Sequence, residues 1–236
     1  IGISPADSLS CVNSTVTVTN NSITGTVVNS FGDCDSTNAS LWMISPSSGW
    51  NIIAGDTGTN INSNFPGHWG STDLDIEFTI AGEYTVSLEV ENDCGNDIAT
   101  QTVCIVPEPG ALFNVDTIFG CMPDTINTIN LSSNLSDCSP SNFIWSVQEI
   151  TPSCNLPFQW SFAPTSLATD TNPSFIFSNT GEYQISLEVN NICPTPSIYT
   201  NNIIIAAPPE VSINSIPNLC VNGNMNPSAL INNCSS

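Results

Sequence analysis

The chain has 236 residues with no lysine and no arginine, 21 aspartates and glutamates, one histidine and ten cysteines, for a formal net charge of −21. Phosphate recognition rests on Lys and Arg, so nucleic acid is excluded as a partner, and an anionic membrane surface would repel the chain. Schiff bases, guanidinium–carboxylate forks and Lys–Asn isopeptide bonds are likewise unavailable, which leaves cysteine pairs as the covalent staple.

Charged residues make up 9% of the chain, against about 25% in ordinary soluble domains. Hydrophobic residues make up 40%, enough for normal cores, and 17 prolines with 14 glycines suit many short strands better than long helices. No stretch approaches the roughly 20 apolar residues of a membrane span. The strongest run, Ile203-Ile204-Ile205-Ala206-Ala207, is strand-sized, so no membrane insertion is expected. The cysteines stand singly, without a C-x-x-C pair, which argues against zinc and for disulfides made in an oxidising compartment. The chain lacks an initiator Met and a signal peptide and begins mid-pattern at Ile1, so the expectation is a piece of something longer.

In chain order, residues 13–19 predict a strand in which Thr15, Thr17 and Thr19 alternate with Val16 and Val18. The segment around Trp42 predicts a core strand, Gly55 and Gly58 mark a turn, and 75–80 predict a further strand. Tyr84, Val86, Leu88 and Val90 then alternate with Thr85, Ser87, Glu89 and Glu91, giving an apolar inner and a polar outer face. Residues 100–106 follow as a strand and end at a stiff Pro107-Glu108-Pro109 junction. The same order then returns: Trp145, strands at 172–177, 183–189 and 200–205, and a junction at Pro208-Pro209. Residues 81–94 and 180–193 share one pattern, with Tyr84 and Tyr183 99 residues apart, and Trp42 and Trp145 are 103 apart. Cys11 and Cys34 correspond to Cys121 and Cys138, and Cys220 and Cys234 open a third copy. The expected domains are residues 1–106, residues 107–207, and the start of a truncated third repeat at 208–236.

About seven short strands in roughly 100 residues predict an immunoglobulin-like β-sandwich, so the fold class is all-β, in tandem and disulfide-stapled. Trp42 and Trp145 on a third strand and Tyr84 and Tyr183 at the start of a late strand fit that fold. The run from Gly82-Glu83-Tyr84 to Cys94-Gly95 resembles the end of a PKD-type repeat. With the upstream order Cys…Cys…Trp…Ser-Pro…Trp, both full units and the start of the third are similar to the PKD-like repeats of giant Bacteroidetes cell-surface proteins, the group that includes the gliding-motility adhesin SprB. The Trp-Asp-Phe-Gly-Asp-Gly signature of commoner PKD domains is absent, which marks a divergent subtype. The resemblance implies a non-enzymatic repeat of a bacterial cell-surface adhesin, stalk or filament, exported by the type IX route, with neighbouring repeats as its partners. A glycan- or Ca²⁺-binding sandwich module and an appendage domain of a secreted hydrolase compete with it.

Ten cysteines permit many pairings, and sequence alone cannot choose among them. Recurrence predicts that Cys11–Cys34, Cys121–Cys138 and Cys220–Cys234 each close within their own unit. Cys94–Cys104 would bridge a hairpin across Gly95-Asn96. The second unit lacks the cysteine matching Cys104, near Ile203, and has gained Cys154, which would pair with Cys193. Buried free thiols are the alternative.

Catalytic candidates are weak. His68 has Ser71, Asp73 and Asp75 nearby, but the second unit has no histidine, so a loop residue is expected. Glu83, Glu89 and Glu91, with Glu182 and Glu188 matching two of them, fall on the solvated face by alternation. No catalytic site and no cofactor are expected. Ca²⁺ is the foremost candidate ligand, on Asp33 and Asp35 and on Asp73, Asp75 and Glu77, none of which follows an EF-hand loop. Trp50, Trp69 and Trp160 are candidate platforms for surface glycans, and the threonines of 15–19 echo the regular arrays of ice-binding sheets. The resemblance also implies O-glycosylation at Asp-Ser/Thr motifs, with Ser8, Ser36, Thr117 and Thr125 as candidates. Asn-x-Ser/Thr sequons at Asn13, Asn38 and Asn130 are nearly inevitable in this composition.

Overall fold

The computed structural model describes residues 3–5, 8–23, 27–28, 34–35, 39–58, 70–92, 95–136, 138–152, 157–213 and 229–232. Their regular structure is entirely β, and no helix among them is long and apolar enough to cross a membrane.

The first repeat contributes β1 (Ile3–Pro5), β2 (Leu9–Cys11), β3 (Thr15–Asn20), β4 (Val27–Val28), β5 (Cys34–Asp35), β6 (Ala39–Ser45), β7 (Trp50–Ala54), β8 (Asp73–Phe78), β9 (Gly82–Asn92) and β10 (Gly95–Val106). They form sheets ordered β1-β3-β8-β7 and β2-β10-β9-β6, with β4 and β5 paired separately. The second repeat contributes β11 (Phe113–Val115), β12 (Phe119–Cys121), β13 (Asp124–Asn130), β14 (Asn142–Pro152), β15 (Trp160–Phe162), β16 (Ser174–Phe177), β17 (Gly181–Asn190) and β18 (Ser197–Ala206). Its sheets, β11-β13-β16-β15 and β12-β18-β17-β14, repeat the plan strand for strand. Beyond them β19 (Glu210–Ile213) and β20 (Ala229–Asn232) pair antiparallel.

In both repeats the first strand is split between the sheets. β1 and β11 lie antiparallel to β3 and β13, whereas β2 and β12 lie parallel to β10 and β18. Counting the split strand once gives seven strands per sandwich, the immunoglobulin-like arrangement.

Alternation builds each core. Val16 pairs with Ile76 and Val18 with Leu74 across β3 and β8, and all four are buried. Val86 and Leu88 of β9 face them with Trp42 of β6. In the second repeat Ile126, Phe175, Phe177, Tyr183, Ile185 and Leu187 pack around Trp145. Both tryptophans are 2% exposed, and each indole N–H donates to a backbone carbonyl at 2.9 Å, Trp42 to Ser71 and Trp145 to Asp170. That bond satisfies the one polar group of an otherwise apolar side chain. The tyrosines at the start of β9 and β17 close a tyrosine corner. Tyr84 Oη donates to the Ile80 carbonyl at 2.9 Å, and Tyr183 Oη to that of Asn179 at 2.9 Å.

The chain folds into two units. Unit 1 comprises Ile1–Pro109, Asn134–Ser141 and Asn190–Pro196, and unit 2 comprises Gly110–Ser133, Asn142–Val189 and Ser197–Ser236. Two loops of the second sequence repeat, one between β13 and β14 and one between β17 and β18, therefore belong to the first unit.

Candidate functional site

The most specific chemistry in the described residues is a thiol cluster on unit 1. On β10 the inward Val103 and Ile105 join the main core, and Cys104 and Val106 point to the opposite face of the sheet. Parallel pairing sets Leu9 beside Cys104 and Cys11 beside Val106. These residues form a second, small apolar cluster with Cys193, in which Cys11, Cys104, Val106 and Cys193 are all buried. Two disulfides close it, Cys11–Cys193 and Cys104–Cys138. Asn191 braces the first: its side-chain oxygen accepts from the Cys193 N–H at 2.8 Å, and its amide donates to the Pro107 carbonyl at 2.9 Å.

These bonds overturn four of the expected pairings. Cys11 bonds Cys193, so neither Cys11–Cys34 nor Cys154–Cys193 forms. Cys104 bonds Cys138, so neither Cys94–Cys104 nor Cys121–Cys138 forms, and Cys121 is an exposed free thiol. The physical reason lies in what a repeat can specify. Recurrent cysteines show which positions bond, but a bond within each repeat and a bond from each repeat to the next leave the same pattern. Cys94, Cys154, Cys220 and Cys234 lie outside the described residues, as does the side chain of Cys34, so Cys220–Cys234 is not described. A usable signal was present. Val103-Cys104-Ile105-Val106 is a continuous buried run at the end of an alternating strand, the mark of a segment covered on both faces.

The acidic candidates fall on an outer face. In β8, Asp73, Asp75 and Glu77 alternate with the buried Leu74, Ile76 and Phe78. Their cross-strand partners are Thr19, Thr17 and Thr15. Thr17 Oγ1 donates to Asp75 at 2.7 Å and Thr19 Oγ1 to Asp73 at 2.8 Å, so these two threonines serve as hydrogen-bonding partners of the two aspartates. No group of three His, Cys, Asp or Glu side chains among the described residues is arranged to hold a metal ion. Asp33 and the side chain of Asp35 lie outside the described residues. Glu89 and Glu182 accept from Asn96 and Asn202 across their sheets, on the faces opposite the cores.

Trp50 and Trp160 hold matching places, opposite Phe78 and Phe177, and both pack against their cores. The Trp50 N–H donates to the Pro46 carbonyl at 2.8 Å, and Trp160 meets Phe162 edge-on and Phe175 at a tilt. Trp69 and His68 lie outside the described residues, as does Ser36. Of the other hydroxyl candidates, Ser8 and Thr125 are exposed. Thr117 is half-buried and turned onto its own chain, donating to the Phe119 carbonyl at 2.9 Å and accepting from the Phe119 N–H at 3.2 Å.

No family model matches the chain, and no curated protein matches it. Solved structures similar to it include an I-band fragment of titin, at 13% identity and a TM-score of 0.44 over 85% of this chain and 62% of that one. FdeC, an Escherichia coli adhesin, is similar at 12% identity and a TM-score of 0.44, over 87% of this chain and 63% of that one. The N-terminal eight immunoglobulin domains of DSCAM are similar at 11% identity and a TM-score of 0.44, over 88% of this chain and 24% of that one. The chain spans less than two thirds of the length of each of these structures.

Proposed function

We propose that this chain is a non-catalytic segment of an extracellular stalk or adhesin, whose work is reach and display. The observation that carries the reading is covalent. Both described disulfides join a cysteine of the first sequence repeat to a loop of the second, over 182 and 34 residues. A bond from one repeat into the next makes serial repeats hard to pull apart, which a load-bearing fibre needs and an independent binding module does not. The disulfides support the same reading, because such bonds persist in oxidising, extracellular settings.

Other features support the same reading. Two sandwiches with one strand order show a repeated unit, and both are closed by a tyrosine corner. The acids of β8 are spread along an outer face, and Asp73 and Asp75 are bonded to threonines. With no Lys or Arg, the chain offers trypsin-like proteases no cleavage site, an advantage for an exposed fibre. The PKD-like pattern favours a bacterial cell-surface protein of the type IX export class, with gliding adhesion as one use.

The test is the size of the native polypeptide, recovered without proteolysis and measured under reducing, denaturing conditions. A mass of hundreds of kilodaltons is expected. A mass close to the 25.0 kDa of these residues would overturn the reading.

A further inference from the structure

We propose that Cys121 and the apolar face around it are a docking and cross-linking site for a further repeat, which would supply a cysteine at the position of Cys193. The argument rests on internal equivalence. Cys11 pairs with Val106 in the parallel β2–β10 ladder, and Cys121 pairs with Ala206 in the parallel β12–β18 ladder. The flanking backbone bonds match as well. Val12 N–H donates to the Val106 carbonyl at 3.0 Å, and Met122 N–H to that of Ala206 at 2.9 Å. Cys104 N–H donates to the Ser8 carbonyl at 2.8 Å, and Ile204 N–H to that of Ile118 at 2.9 Å. Cys121 is thus the structural counterpart of Cys11, a residue that is disulfide-bonded and buried.

The surroundings differ in one respect, which is cover. In unit 1 the outer face at Leu9, Cys11, Cys104 and Val106 is closed by Cys193 and its loop. No loop among the described residues covers the corresponding face of unit 2, at Phe119, Cys121, Ile204 and Ala206. Phe119 is 58% exposed, Ile204 42% and the neighbouring Ile118 63%, and the Cys121 thiol is exposed. The sequence nevertheless prepares both faces of β18, because Ile203-Ile204-Ile205-Ala206 is continuously apolar, as Val103-Cys104-Ile105-Val106 is in β10. A strand written for burial on both faces but buried on one marks an interface awaiting its partner.

The same repeat pattern names the occupant. The covering loop of unit 1 has the form Asn191-Ile192-Cys193, in which the asparagine braces the cysteine. The first repeat carries Asn92-Asp93-Cys94 at the matching position, so the Asn-x-Cys element belongs to the repeat. Ile204 stands where Cys104 stands, so this junction would carry one bond where the first carries two. In forming it, the Cys121 thiol and the incoming thiol lose two protons and two electrons. An external disulfide accepts them and leaves as two thiols, by thiol–disulfide exchange. The inference rests on the reading of the chain as part of a longer array.

The test is disulfide mapping of the native full-length protein, alkylated without reductant and cut at acidic and aromatic residues, since trypsin has no sites. A Cys121 peptide linked to an Asn-x-Cys peptide of another repeat is the expected result. Alkylated Cys121, or a bond from Cys121 to Cys34, Cys138, Cys220 or Cys234, would overturn it. Cys121→Ser in the same protein should raise the count of titratable thiols by one, through its stranded partner, and an unchanged count or the loss of one thiol would also overturn it. A large native polypeptide with an alkylated Cys121 would defeat this inference alone, whereas a native mass near 25.0 kDa would defeat the stalk reading itself.

Discussion

Tyr84 and Tyr183 show how much of each sandwich hangs on one hydroxyl. Each ring lies in the core against a phenylalanine, Phe78 or Phe177, and each hydroxyl reaches back to a carbonyl four residues upstream. Gly49 makes room for the first: its φ is 90°, and a Cβ there would collide with Tyr84 Oη, so both space and backbone conformation call for glycine. Burial raises both phenols above their ordinary value of 10.0. For Tyr183 the nearby Glu149 charge adds to the rise, and a hydrogen bond from the Gln159 backbone opposes it. A phenol whose folded pKa exceeds its unfolded one holds its proton more tightly when folded. Its stabilising share is therefore complete below about pH 10 and lost as pH climbs through the raised folded value. Tyr84→Phe and Tyr183→Phe should each cost about 1 kcal/mol at pH 8, the worth of one hydrogen bond. They should also flatten the decline in stability above pH 10. Urea midpoints at several pH values read both effects, and variants with an unaltered alkaline decline would show that these phenols are not its source.

At the scale of the strand, the inner and outer faces carry different burdens. Trp145 touches Phe113 and Phe175 edge-on and is buried, whereas Asp75 on β8 is an outer residue with one threonine partner. Trp145→Ala should destabilise by about 3–5 kcal/mol through the cavity it leaves, and Asp75→Asn by less than about 0.5 kcal/mol. Comparable losses, read from chemical denaturation, would mean that the acid–threonine ladder is structural after all. This division of faces is also what made the strands legible. Strict alternation at 84–90 and 183–189 announced β9 and β17, and Trp42 and Trp145 fell on the strands expected of them. Boundaries were read less well, for local reasons. The strand expected over 75–80 runs instead as Asp73–Phe78, because the Ile80 carbonyl is turned into the tyrosine corner and its side chain outward. β10 starts at Gly95, five residues before the expected 100, because its first residues are held by the β9 ladder alone and have no apolar face to betray them. The thiol cluster was the least legible feature. Its partners are far apart in the chain, and alternation within one repeat contains no information about which loop of another repeat covers it.

At the scale of the whole chain, the Cys11–Cys193 bond decides which residues carry load. Tension applied at residues 1 and 236 passes from Cys11 directly to Cys193, and the intervening chain is bypassed. The shorter bond, Cys104–Cys138, lies inside the bypassed loop and adds stability instead. Chain entropy puts its contribution at about 4 kcal/mol for its loop length. That matters in a molecule that has no Lys or Arg to form side-chain ion pairs and carries a net charge of −21. Screening of that charge is weakest at low salt, where repulsion reaches furthest. The bypass gives a length that can be measured. In single-molecule extension without reductant, the segment between the two cysteines stays closed however far the rest unfolds. Adding a thiol reductant under load should release 182 residues in all, a gain of about 600–650 Å in contour length, of which 34 residues stay closed until Cys104–Cys138 is also reduced. A bond confined to one repeat, such as Cys11–Cys34, would release only 23 residues, or about 80 Å. Steps of that smaller size would show that the repeats are stapled singly, and a chain stapled singly would lose the cross-repeat bond on which the fibre reading depends.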